Sequence, residues 1–268
     1  MGVMDQKIKQ EISQQMSNIS VLGPLRRLKG HGLDIIFPPQ PLWPTLKGPL
    51  SANLHFIDRP QCEACGFPFP YDMGAGVLCG NCTVRMPQFD RARAAFIYDV
   101  ISRQPILSLK HGGQTQGLAI FAQQLKRAGR ELFIGADRLM PVPLHPSRLR
   151  KRRFNQAALL ARALSRLVKI PADANSLMRK KATSSQGGKT ASARRRNMQG
   201  AFQVPTGKLS HVQGQNIILI DDVMTTGATV ESCARTLKRA GAGRVDVLTL
   251  ARVVKDMAQD GLVIDTIS

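Results

Sequence analysis

The sequence predicts an α/β fold: a mostly parallel sheet flanked by helices, with a small four-cysteine module ahead of it. Three features carry that prediction. The run Ile217-Ile218-Leu219-Ile220 has no polar interruption, which suits a strand buried on both faces. Behind it, Val230, Cys233, Ala234 and Leu237 recur at i, i+3, i+4 and i+7, the stripe of an amphipathic helix. Elsewhere, short apolar segments alternate with helical stripes, the order that builds parallel crossover units.

In chain order, residues 1–60 read as an extension. The first twenty are Gln- and Ser-rich, and Pro38, Pro39, Pro41 and Pro44 surround Trp43 in an extended approach to the cysteine module. That module occupies 61–86 and the α/β domain 90–268. Ala94 to Tyr98 is the first strand. Leu118, Phe121, Ala122 and Leu125 form a helical stripe closed by Gly129. Leu139 to Pro143 reads as a strand whose prolines restrict its pairing. Asn155 can cap a helix carrying Leu160, Leu164 and Leu167, ended by Pro171. Phe202 to Val204 is a further short strand. Asn216 to Ile220 leads through Asp221-Asp222 and a loop into the signature helix, which Gly241 stops by taking a positive φ. Val245 to Leu250 is the last strand.

The chain has five cysteines. Cys62, Cys65, Cys79 and Cys82 form Cys-x2-Cys-x13-Cys-x2-Cys, two knuckles that can set four thiolates around one tetrahedral zinc. Gly66 and Gly80 follow Cys65 and Cys79, where a tight metal-binding turn gains from a residue without a side chain. Disulfides are the competing reading, but no secretory signal is read, and a reducing cytosol keeps thiols free or metallated. Redox chemistry would need only one Cys-x-x-Cys. A closed four-sulfur site leaves no open position for substrate, so the expected role is structural. Cys233 falls on the core face of its helix and reads as a small buried hydrophobe rather than a nucleophile.

Most of the chemistry lies between Asn216 and Thr229. The first amides of a helix lack intrahelical partners, and the helix dipole makes that end slightly positive. Thr225, Thr226 and Thr229 add hydroxyl donors, and Gly227 lets an anion approach the backbone closely. A phosphate monoester fits there. Asp221 and Asp222 would repel it, so they should face vicinal sugar hydroxyls instead. Capping of the helix by Thr225 or Thr226 is the alternative. A cap needs one such residue, not two acids and three threonines around a glycine.

At these residues the chain resembles the type I phosphoribosyltransferases, whose signature is an apolar strand, Asp-Asp and a Thr-Thr-Gly-type loop. The resemblance implies 5-phosphoribosyl 1-pyrophosphate as ligand, together with Mg2+. Thr225, Thr226, Gly227, Ala228 and Thr229 would hold the 5′-phosphate, and Asp221 and Asp222 the ribose hydroxyls. With the four cysteines added, the pattern is similar to that of the ComF family, associated with DNA uptake or utilisation in bacteria. Pro141-Val142-Pro143-Leu144, Arg152-Arg153-Phe154-Asn155-Gln156-Ala157, Gln186, Arg196-Asn197, Gly200-Ala201-Phe202 and Leu250-Ala251-Arg252 agree with it. One departure is Arg153, where the family has glycine. If that position takes a positive φ, an arginine strains the turn.

The resemblance also implies a pyrophosphate loop at Leu144 to Phe154, beside the loop after Ile220 on one rim of the sheet. His145, Ser147, Arg148 and Arg152 are the candidates, with Arg148 and Arg152 clamping phosphate oxygens. His145 reads equally well as a structural residue. Arg179 to Asn197 is basic and rich in Ser, Thr and Gly, so it reads as a mobile loop. Closure of that loop over the substrate would bring in charge from Lys180, Lys181, Arg195 and Arg196. The implied reaction releases pyrophosphate as a nitrogen acceptor takes the phosphoribosyl group.

Composition bounds the alternatives. At 268 residues and 43% hydrophobic content, the chain can hold one substantial core and a small appendage. No apolar run reaches bilayer length, so membrane insertion is not expected and a cytoplasmic location is. Net charge is +20, and it is uneven: within residues 145–196, fifteen Lys or Arg face Asp173 alone, a net +14. Such a concentration favours a polyanionic partner, either a pyrophosphate-bearing metabolite or nucleic acid. The alternative function is therefore a non-catalytic protein that keeps the fold and binds single-stranded DNA or a nucleotide. Against it, Phe154 is the only aromatic of that segment, which leaves little for bases to stack on. A third reading is an assembly factor whose zinc module docks a partner. Gly188-Lys189-Thr190 does not make a Walker A loop, because Thr183 stands where that pattern needs glycine.

Overall fold

The computed structural model describes residues 54–111, 117–181 and 200–254. The expected extension up to residue 53, Gly188-Lys189-Thr190 and nearly all of the expected Arg179–Asn197 loop lie outside the described residues. The elements are α1 (Gly80–Val84), β1 (Ala92–Ile97), α2 (Val100–His111), α3 (Leu118–Ala128), β2 (Arg138–Pro141), α4 (Pro146–Arg152), α5 (Gln156–Val168), β3 (Met178–Arg179), β4 (Phe202–Gln203), a 3-10 turn (Thr206–His211), β5 (Asn216–Met224), α6 (Ala228–Arg239) and β6 (Arg244–Arg252).

Four strands form one sheet in the order β1-β6-β5-β2, every pair parallel. Parallel neighbours need crossover connections, and the amphipathic helices supply them. The aliphatic run of β5 faces two cores at once. Ile217 and Leu219 pack with Val230, Cys233, Ala234 and Leu237 of α6. Ile218 and Ile220 pack with Leu125 of α3 and Leu160 and Leu164 of α5. All four are essentially fully buried, which is why no polar residue interrupts the run. Burying each such side chain is worth roughly 1.5–3 kcal/mol.

Several expectations change in detail. The strand does not stop at the two acids: its register with β6 persists to Met224 opposite Arg252, so Asp221 and Asp222 belong to β5. The α5 helix ends at Lys169 in a left-handed cap, φ 60, which returns its amide to the Ser165 carbonyl before Pro171 is reached. Its fully buried face is Ala157, Leu160, Ala161 and Leu164, with Leu167 only half buried. The expected pyrophosphate loop is mostly the helix α4, because Pro146 at its start presets the helical φ and His145 caps it. Gly241 does take a positive φ of 93 directly after α6, where an added Cβ would crowd the Gln213 side chain at 3.2 Å. Pro141 lies in an edge strand, as its missing N–H requires.

The cysteine-bearing segment lies against β1. The Ala92 amide donates to the Ala64 carbonyl at 2.7 Å, and the Ile57 amide to the Ala95 carbonyl at 3.0 Å. Arg93 of β1, only 1% exposed, reaches back to Glu131 and to the Glu63 carbonyl at 3.0 Å. On β6, Asp246 is completely buried between Arg91 at 2.9 Å and Arg244 at 3.0 Å. Among the described residues, no helix is long and apolar enough to cross a membrane.

Candidate functional site

The C-terminal ends of β2 and β5 and the start of α6 share one rim of the sheet. Gly227, φ 76, is the N-cap of α6. A glycine cap has no side chain, so neither Thr225 nor Thr226 serves as the cap, and the first helical amides point out of the helix end. A Cβ added at Gly227 would meet nothing within 4 Å. Glycine is therefore needed here for its conformation, and the space beside it is open to a ligand. Thr225 is exposed, Thr226 and Thr229 are half-exposed, and Ala228 is buried beneath them.

The two acids are not equivalent. Side chains alternate along a strand, which sends Asp221 towards the α6 face and Asp222 towards α5. Asp222 is 6% exposed. Its Oδ1 accepts the Val223 amide at 2.7 Å and its Oδ2 accepts Nε2 of Gln156 at 3.2 Å. Asp221 is half-exposed at the rim, and its Oδ1 accepts the Asp222 amide at 2.9 Å. On its face stand Cys233, whose thiol is pushed up by complete burial and then by Asp221, and the guanidinium of Arg179. Buried and held in its thiol form, Cys233 fits the packing role read from the sequence.

Beside this rim, α4 sets out the other candidates. His145 is spent on the helix cap: its Nδ1 accepts the Ser147 amide at 3.2 Å and lies 2.7 Å from the Ser147 hydroxyl. Arg148 and Arg152 are half-exposed on the same short helix. Arg153 ends it in the left-handed conformation, φ 64, the geometry that glycine would take without strain. Lys181 is exposed, close to Gly200 at the return of the chain. Arg196 lies outside the described residues.

Two rim residues have no role assigned from the sequence. Gln156 directly follows the cap Asn155, whose Oδ1 accepts the Ala157 amide at 3.0 Å. That position at a helix start is legible, but its burial against Asp222 is not. Arg179 opens the run Arg179-Lys180-Lys181, and only the fold separates it from the two exposed lysines. It is 8% exposed, with its guanidinium 5.5 Å from the Phe202 ring centroid. Burial, and then the charge of Arg148, lower its pKa, while Cys233 and Asp221 oppose that shift.

The second centre is the cysteine cluster. The Sγ atoms of Cys62, Cys65, Cys79 and Cys82 all lie within 4.8 Å of one another. Sulfurs about 2.3 Å from a tetrahedral zinc would stand roughly 3.8 Å apart, and those of Cys65 and Cys79 are 3.6 Å apart. The amides of Cys65 and Cys79 point at Cys62 Sγ, at 3.5 and 3.2 Å. The Cys65 thiol hydrogen bond, helped by such amides, outweighs burial and holds the Cys62 thiol down at about 4. Burial pushes Cys82 up to about 12, and Cys65 is raised by its bond to Cys62 and by burial. Four sulfurs at this spacing make a donor set that fits zinc. Arg252, at the end of β6, donates to the Cys65 carbonyl, stands 3.7 Å from Cys65 Sγ and lies over the Phe67 ring at 5.4 Å.

Residues 155–265 match the phosphoribosyl transferase domain family. The DNA utilization protein YhgH of Escherichia coli O157:H7 is 30% identical over 217 residues, covering 74% of this chain and 86% of that protein. Competence protein F of Haemophilus influenzae is 30% identical over 218 residues, 75% of this chain and 93% of its own. Competence protein ComFC of Bacillus subtilis is 28% identical over 201 residues, 71% and 77% of the two chains. Similarity over nearly the whole of those proteins, on a parallel sheet that carries a four-cysteine cluster, places the chain in the ComF family.

Proposed function

We propose that the chain binds 5-phosphoribosyl 1-pyrophosphate at this rim and transfers its phosphoribosyl group to a nitrogen acceptor, in the service of DNA utilisation. One observation carries the reading: the open, glycine-led start of α6 stands next to the half-exposed Asp221 on a single strand–loop–helix. The 5′-phosphate takes the amides after Gly227 and the hydroxyls of Thr225, Thr226 and Thr229, as a helix N-terminus favours an anion. Asp221 accepts from a ribose hydroxyl, with Asp222 set behind it by Gln156. Arg148 and Arg152 meet the pyrophosphate. Lys181 and Arg196 add positive charge at the leaving group, and His145 holds the turn that aims Arg148.

In the reaction the bond from the anomeric carbon to pyrophosphate breaks, and its electron pair leaves on oxygen. The nitrogen lone pair forms the new bond, and its proton passes to pyrophosphate or solvent. Mg2+, when bound with the donor, supplies further positive charge at the leaving group. What the chain contributes is position and field. Names such as DNA utilization protein and competence protein, borne by the relatives, support the cellular role. Calorimetric titration of the Mg2+-loaded donor tests the binding, alongside pyrophosphate release with a panel of nucleobases. Binding to the wild type, weakened about tenfold or more in Asp221→Asn, is the expected result; silence at millimolar donor would end the proposal.

A second reading has its own support. Gln88, Arg235, Lys238 and Arg239 line an open groove of about 570 Å³ along the last turns of α6, away from the phosphate loop. A single-stranded nucleic acid could follow that basic surface without any turnover. Affinity for DNA that falls steeply with salt, without pyrophosphate release, would favour it.

A further inference from the structure

An ion pair ties the cysteine module to the first turn of α6, just behind the phosphate loop. Arg85 is the C-cap of α1, the short helix that begins after Cys79 and carries Cys82. Its guanidinium donates to the Glu231 carboxylate at 3.0 Å. Glu231 lies in the first turn of α6, about 6 Å along the axis from Gly227. Its side chain is only 10% exposed, against 40% for Arg85.

An acid in the first turn ordinarily stabilises a helix by meeting the positive end of its dipole. Here that same end is where a phosphate is to sit. A largely buried carboxylate so close to it would repel the ligand through a medium that screens poorly. The cysteine module sets positive charge directly against it, in the guanidinium of Arg85. Its placement is firm at both ends. Thr83 returns its amide to the Cys79 carbonyl at 3.0 Å and Arg85 to the Asn81 carbonyl at 3.0 Å, while the Glu231 amide is tied to the Gly227 carbonyl at 2.8 Å.

We propose that Arg85 is a positioning residue for phosphate: by neutralising Glu231 it keeps the start of α6 attractive to an anion, and it makes that attraction depend on the folded cysteine module. The proposal rests on the reading of residues 225–229 as a phosphate site, and it gives the module an electrostatic part in that site. Nothing in it requires the metal to touch substrate.

The test is calorimetric binding of inorganic phosphate and of the Mg2+-loaded phosphoribosyl donor to wild type, Arg85→Met, Glu231→Gln and the double variant. Zinc content and thermal melting are measured on each protein. Arg85→Met is expected to weaken both ligands about tenfold, with zinc content unchanged. Glu231→Gln is expected to bind at least as tightly as wild type. The double variant is expected to return to within about twofold of wild type, since removing both charges removes the conflict. Unchanged affinity in Arg85→Met overturns the inference, as does a loss that the double variant fails to restore. Should Arg85→Met not fold, weaker binding by Glu231→Gln overturns it independently. If the wild type binds neither ligand, the phosphate-loop reading falls first, and the proposal with it.

Discussion

Arg153 closes α4 with φ 64, in a region where an L side chain crowds its own backbone. The chain accepts this because the cap returns the Arg153 amide to the Leu149 carbonyl at 2.7 Å and turns the backbone towards Asn155. Glycine would make the same turn without the clash, so Arg153→Gly should raise the unfolding free energy by about 1 kcal/mol, read from urea midpoints. An unchanged midpoint would mean that the cap contacts of the arginine itself offset the strain. Arg93 presents the opposite case. It is 1% exposed and is held by Glu131 and Glu63, so truncation takes the buried cation from between two acids and leaves them only the more exposed Arg59. Arg93→Met should destabilise the fold by about 3 kcal/mol or more. If denaturant unfolding showed less than about 1 kcal/mol of loss, water reaches this pair far better than its burial suggests.

The elements differ in what holds them. α6 is fixed by apolar burial, with Val230, Cys233, Ala234 and Leu237 all inside. The cysteine module has only a small cluster of its own: Cys62, Ala64, Cys79 and Cys82, with Phe67, Phe69 and Leu78 around them. So small a core is the kind that a metal completes. If zinc fills the cluster, a chelator should therefore speed hydrogen exchange across residues 61–85 while the amides of β5 and β6 stay protected. Uniform protection after chelation would mean that the ties to β1 suffice. The same contrast explains what could be read from the sequence. β5 and α6 announce themselves because double-sided burial and a one-sided stripe leave different local patterns. The four cysteines announce themselves by spacing. The α4 helix was hidden because seven residues with one apolar side chain, Leu149, carry no stripe, and its cap signal lay in His145 and Pro146. Arg85 with Glu231, 146 residues apart, and Arg252 with Cys65, 187 apart, leave no local trace at all. The rim of Asp221, Thr225 and Gly227 was legible because it is contiguous. Gln156 and Arg179 join it only through tertiary packing.

Across the whole molecule, the module and the sheet are joined by charge: Arg93 to Glu63, Arg85 to Glu231, and Arg252 to the Cys65 carbonyl. These ties hold in a chain of net charge +20, where each carboxylate also limits self-repulsion. Burial pushes the Glu131 carboxyl up, but Arg59 and Arg93 outweigh it and hold the group below the usual carboxylate range. Burial likewise raises Asp173, and the Ser176 hydroxyl, the Asn175 and Ser176 amides and His211 together bring it below its usual value. A depressed carboxylate binds its proton less readily when folded than when unfolded. Its stabilisation is therefore present above the unfolded value, near pH 4, and is lost as pH falls through the lower folded value. Protonating any acid adds to the net positive charge at the same time, so both effects act in one direction. Thermal melting should show stability dropping steeply below about pH 4, and added salt should soften the part of the drop due to repulsion. Glu131→Gln should melt lower than wild type at neutral pH yet lose less on acidification, because the group that titrates is gone. A parallel acid profile in that variant would move the pH dependence from this junction to the exposed carboxylates.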